Sequence, residues 1–163
     1  MKKIIFTLSL ILFCVTSFAQ SCFDSLSDIK NVKYVSVNKA TISAVLDGEE
    51  NVDLDETIFN LKKVRNNEQM KSFISKIEGI YYASSENKKG AKKLSKAAKS
   101  ILSRFSSVAN FGDSDSRYAI YSGSENGMKV TVVYVQEKKE TTLVSILGQT
   151  GLDDIIKMIM AAG

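Results

Sequence analysis

Across 163 residues the chain carries 22 basic and 18 acidic side chains, two cysteines, and no histidine, tryptophan or proline. Without histidine it lacks the usual general base, the commonest metal ligand and any Ser-His or Cys-His nucleophile pair. Two cysteines supply neither a zinc cage nor a disulfide framework, and a formal net charge of +4 falls short of the basic excess that nucleic-acid binders concentrate on one face.

Lys2 and Lys3 precede an apolar run from Ile4 to Val15 and then small residues, the three-part plan of a secretory signal peptide. A permanent membrane helix needs about 20 apolar residues, so removal of residues 1–19 is expected, leaving a single domain over 20–163. The stretch "FAQSCFDSL", Phe18 to Leu26, holds two competing cuts. Ser17 and Ala19 suit a cut that leaves Gln20 first and the protein soluble in the periplasm or envelope. A cut before Cys22 instead leaves that cysteine lipid-modified, as in an outer-membrane lipoprotein; Ser21 suits this cut, and Ala19 with Gln20 only partly fit it. Cys14 departs with the leader by either route, so Cys22 is an unused thiol, a lipid-attachment site or one half of an intermolecular bridge. Lys2 and Lys3 leave too, with no acid beside them, which lowers the formal net charge to +2.

Beyond the leader, Phe23, Leu26 and Ile29 recur at helical spacing and predict a short helix ending near Asn31. Val35 and Val37 alternate with Tyr34 and Ser36 as in a strand. Asp47, Glu49, Glu50, Asp53, Asp55 and Glu56 then crowd a segment bent by Gly48. Charges this dense repel and prefer water, so the run reads as an exposed loop; a cation site is the alternative, although the run lacks the ligand spacing of a calcium-binding loop. From Asn66, the residues Met70, Phe73, Ile74 and Ile77 mark one side of a second helix, and Ile80 to Ala83 follow as a strand.

Ser84 or Ser85 then reads as the N-cap of the most amphipathic stretch, with Leu94, Ala98, Ile101, Leu102 and Phe105 on one side. Lys88, Lys92, Lys96 and Lys99 lie opposite, and with Lys89 and Lys93 they make six lysines without an acid between Lys88 and Lys99. Such a face is a candidate for anionic lipid or an acidic partner. After a polar loop, "NFGDSDS", the period becomes two. Strands over Arg117 to Ser122 and Met128 to Gln136 are joined across "GSENG", and Asn126-Gly127 favours a tight hairpin. "EKKE" turns into a third strand, "TTLVSILG", completing a C-terminal three-strand antiparallel meander. Thr150, with Asp153 three residues on, is placed to cap a last helix bearing Leu152, Ile155, Ile156 and Ile159. The expected fold is α+β, an antiparallel sheet packed by amphipathic helices.

The stretches "CFDSLSDIKNVKYVSVNKA" and "LVSILGQTGLDDIIKM", through Phe23, Val35, Lys39, Leu147, Gly148, Leu152, Asp154 and Ile155, resemble a family of small exported bacterial proteins catalogued as a domain of unknown function. The resemblance implies an α+β envelope protein without an assigned activity, in a family with both soluble and lipid-modified members. The acidic segment from Asp47 to Glu56 and the short "EKKE" turn depart from the family pattern.

Reactive constellations are scarce. S-x-x-K pairs occur at Ser27/Lys30, Ser36/Lys39 and Ser85/Lys88, but the companion motifs of serine-lysine hydrolases are absent. "GQTG" lacks the spacing and the lysine of a phosphate loop. Asp113, Asp115, Asp153 and Asp154 offer carboxylates without a tryptophan platform for sugars. The sequence therefore points to a non-enzymatic envelope domain that contacts or regulates another protein and needs no cofactor. The alternative is a peripheral binder of anionic membrane or polymer through Lys88, Lys92, Lys93, Lys96 and Lys99, and a histidine-free hydrolase stands third.

Overall fold

The computed structural model describes residues 21–48 and 68–155. A 3-10 turn over Asp24–Asp28 leads into strand β1 (Lys33–Asn38), helix α1 (Lys39–Asp47) and helix α2 (Glu68–Ser75). Strand β2 (Ile77–Ser85), helix α3 (Lys88–Leu102) and strand β3 (Ser106–Gly112) follow. Strands β4 (Ser116–Glu125), β5 (Met128–Glu137) and β6 (Thr141–Gly148) complete one antiparallel sheet in the order β1-β2-β6-β5-β4-β3. The fold class is α+β.

One row of paired residues fixes the register across all six strands: Tyr34, Ala83, Leu143, Tyr134, Ala119 and Asn110. Since side chains alternate along a strand, this row and its second neighbours share a face. On that face Ala83, Val130, Val132, Tyr134, Leu143 and Leu147 meet Leu94, Ala98, Ile101 and Leu102 of α3, together with Phe23, Leu26 and Phe105. The opposite face carries Val37, Ile80 and Ile146 in register beneath Ile42 of α1, Phe73 and Ile74 of α2, and Ile155. β5 lies inside the sheet, as the apolar character of both its faces requires.

Several expectations are corrected. α1 continues directly from β1, in a stretch where no helix is expected from the sequence. Asn38 stops the strand by capping the helix, its Oδ1 accepting from the Thr41 amide at 2.9 Å, and Gly48 ends the helix at φ 90°. Asp47 thus closes a helix; Glu49 to Glu56 lie outside the described residues. The N-cap of α3 is Asn87, whose Oδ1 accepts from the Lys89 amide at 2.9 Å, while Ser84 and Ser85 belong to β2. "NFG" is the end of strand β3 rather than loop, because pairing with β4 satisfies its backbone whatever its side chains. Ile77 opens β2 instead of extending α2.

The last described turn, residues 152–155, starts one residue later than expected. The Gly151 amide donates to Asp154 Oδ2 at 3.3 Å, so Asp154 takes the capping role assigned to Asp153, and Thr150 is buried outside the helix. Residues 1–20, Asn66, Ile156, Ile159 and the Met70 side chain lie outside the described part. Among the described residues no helix is long and apolar enough to cross a membrane.

Candidate functional site

The lysine helix is positioned by its own apolar face. Leu94, Ala98, Ile101 and Leu102 seat α3 on the sheet, and the buried Tyr134 hydroxyl lies 2.9 Å from Ser95 Oγ, fixing the helix rotation. The first turn approaches the backbone closely: a Cβ on Gly90 would collide with the Asn31 carbonyl and Ser85 Oγ. Seen as a sequence, Gly90 is only a helix weakener; in the fold it lets α3 touch the end of the N-terminal segment.

All six lysines are exposed. At 3.6 residues per turn they occupy roughly 140° of arc, and Lys88 to Lys99 spans about 16 Å along the axis. Among the described residues no carboxylate stands within ion-pair distance of any of them, although the surface pairs Lys39–Glu78, Lys71–Glu68, Lys76–Asp154 and Lys138–Asp115 form elsewhere. The arc carries neither an aromatic residue nor an arginine.

Cys22 lies beside the C-terminal half of this helix. An open cleft of about 930 Å³ is lined by Cys22, Asp24 and Asp28 on one wall, Ala97, Ser100 and Arg104 on another, and Glu125 at the hairpin end. The structure thus brings the two sequence candidates, Cys22 and α3, onto one side of the molecule. Glu125, which no local pattern marks, holds the segment in place. Its Oε1 accepts from the Cys22 amide at 2.7 Å and its Oε2 from the Ser21 hydroxyl at 2.9 Å. Asp24 adds a second anchor, accepting from the Ser21 amide at 2.9 Å and the Tyr34 hydroxyl at 3.0 Å. Burial, and then the hydrogen bond and charge of Glu125, push the Cys22 thiol up to about 12 against the opposing pull of Arg104. At neutral pH it is a protonated, weakly nucleophilic thiol.

The other reactive candidates hold structural positions. Ser27 Oγ donates to the Asp24 carbonyl at 2.7 Å, and Ser85 Oγ donates to the Asn31 carbonyl at 2.7 Å. Lys39 Nζ donates to the carbonyls of Ser75 and Ile77 and to Glu78 Oε1, tying α1 to the start of β2. Asp113 Oδ1 accepts from the amides of Asp115 and Ser116, which hold its carboxyl below the usual range, and Asp115 pairs with Lys138 at 2.7 Å. Among the described residues no cluster of three or more histidine, cysteine or acidic side chains forms a metal site.

No curated protein and no solved structure matches the chain. One family model matches residues 46–158, from the end of α1 onward. The structure extends that unit upstream, since Phe23 and Leu26 fill the same core as α3. Of the residues that carried the resemblance, Leu147, Gly148, Leu152, Asp154 and Ile155 fall inside the match and Phe23, Val35 and Lys39 precede it. The match takes in more than half of the sequence, and the chain belongs to the family described as Domain of unknown function (DUF4252).

Proposed function

We propose that the protein is a non-enzymatic binding domain of the cell envelope that attaches peripherally to an anionic surface, bilayer or polymer, through the lysine arc of α3. The observation that carries this reading is the set of six exposed lysines with no acidic neighbour in ion-pair reach among the described residues. Protein interfaces are depleted in lysine and enriched in aromatic residues and arginine, the reverse of this arc. The apolar side of α3 is committed to the core, so the contact is electrostatic and without insertion. Each lysine near an anionic bilayer contributes about 1 kcal/mol, enough for reversible attachment.

Export belongs to the same proposal. A cut after Ala19 retains Ser21, which is buried at 6 % exposure and bonded to Glu125 and Asp24, whereas a cut before Cys22 discards it.

Co-sedimentation with phosphatidylglycerol vesicles, against phosphatidylcholine vesicles and across a salt series, tests the attachment. Binding is expected only to the anionic vesicles, and replacing Lys92, Lys96 and Lys99 by glutamine weakens it about 100-fold, from three contributions of about 1 kcal/mol. Binding indifferent to salt and to those substitutions overturns the reading. An acidic envelope protein crosslinking to the arc, with no vesicle binding, would establish the protein-contact reading instead.

A further inference from the structure

We propose that the outer edge of β3 pairs with the same edge of a second copy of this chain, antiparallel across a twofold axis. β3 ends the sheet, with a strand partner on one side only among the described residues. Sheet edges are ordinarily guarded by lysine, proline or an inward charge. The sequence of β3, Ser-Ser-Val-Ala-Asn-Phe-Gly, has none of these over seven residues. The two large hydrophobic side chains left exposed in the described protein, Val108 at 44 % and Phe111 at 59 %, both lie on this strand.

The second copy is indicated by the order of residues along the edge. A twofold through Asn110 sets Ala109 opposite Phe111 of the other copy and, with the bulged Val108 out of the ladder, Ser107 opposite its Gly112. The same register carries Arg104, exposed just before β3, toward the acidic turn from Asp113 to Asp115 of the other copy, and the symmetry forms that contact twice. A parallel arrangement would bring like charges together instead. The bulge between Ser107 and Ala109 breaks the ladder at Val108 and restricts slippage to other registers.

The interface is short, in the class below about 1,200 Å² that holds weak and transient contacts, and a dissociation constant on the order of tens of micromolar is the scale to test. Sedimentation equilibrium of the purified protein from about 1 to about 500 µM brackets that range. A concentration-dependent dimer is expected, with Val108→Lys and Phe111→Lys each lowering the association constant at least about tenfold by placing a cation on the paired edge. Arg104→Glu is expected to weaken it as well, by setting like charges against the acidic turn. Both β3 side chains are exposed, so circular dichroism matching the parent confirms that the variants fold. A monomer throughout the range overturns the proposal, as does a dimer that neither lysine variant disturbs.

Discussion

Two short segments at the margins of the sheet are held by opposite means. The segment from Ser21 to Ile29 has one 3-10 turn and no strand pairing, yet Phe23 and Leu26 are fully buried and Phe23 stacks between Tyr81 at 5.4 Å and Phe105 at 5.9 Å. β3 is paired with β4 on both sides of the bulge at Val108, yet its side chains face solvent. The first is anchored by side chains and the second by its backbone. Regular secondary structure is therefore a poor guide to which margin stabilises the domain.

The widest test of that contrast is a pair of truncations. Phe23→Ala removes a fully buried ring and its stacking partners, and phenylalanine truncations in cores cost about 3 to 5 kcal/mol. Phe111→Ala removes an exposed ring stacked on Tyr118 at 5.6 Å, worth about 1 kcal/mol at most. Urea unfolding with unchanged m-values should separate the two midpoints accordingly. Equal destabilisation by the two substitutions would dissolve the distinction between the margins.

An intermediate effect is expected at Gly90, where α3 meets the end of the first segment. Alanine improves helix propensity by about 1 kcal/mol, but its Cβ would run into the Asn31 carbonyl, which is backbone and held at φ 67°. Overpacking of this kind costs about 1 to 3 kcal/mol. The collision should dominate, and Gly90→Ala should lower the unfolding midpoint. A stabilised variant would mean that the first segment is not held against α3 and that its burial contributes little.

The contrast also explains what was legible in the sequence. Phe23, Leu26 and the apolar stripe of α3 could be read because burial of one side imposes a period, and Asn126-Gly127 because its two left-handed residues, at φ 51° and 79°, admit few alternatives. β3 could not, since a strand exposed on both faces needs no alternation. α1 was hidden because Thr41, Ile42 and Val45 prolong the β-branched run of β1, although Asn38 and Gly48 punctuate it at both ends. The clamp on Cys22 was beyond reach, because Glu125 lies 103 residues away and sits in a hairpin like any solvated acid. The lysine arc was visible in full; the packing of Cys22 beside the helix that carries it was not.

The finest test asks whether the first segment stays docked, and Cys22 itself can report it. Raising its pKa from 9.0 to about 12 reduces the thiolate at pH 8 about 1,000-fold, while the more basic sulfur gains roughly 10- to 30-fold in intrinsic reactivity. Reaction of the folded protein with an aryl disulfide reagent should therefore run about 30- to 100-fold slower than that of the urea-unfolded chain. Glu125→Gln should narrow the gap, since it removes a charge that opposes the thiolate. The same shift fixes the sign of a pH dependence. Below pH 9.0 the thiol is protonated in both states; between 9.0 and about 12 the unfolded chain releases a proton that the folded one retains, so stability falls as pH rises. Tyr34, Tyr81 and Tyr134 are shifted the same way, mainly by burial, so the cysteine's share is the difference between the alkaline stability curves of the parent and Cys22→Ser. Folded and unfolded chains reacting at equal rates, with superimposable alkaline curves, would show the segment open in solution and the side-chain anchoring of this margin lost.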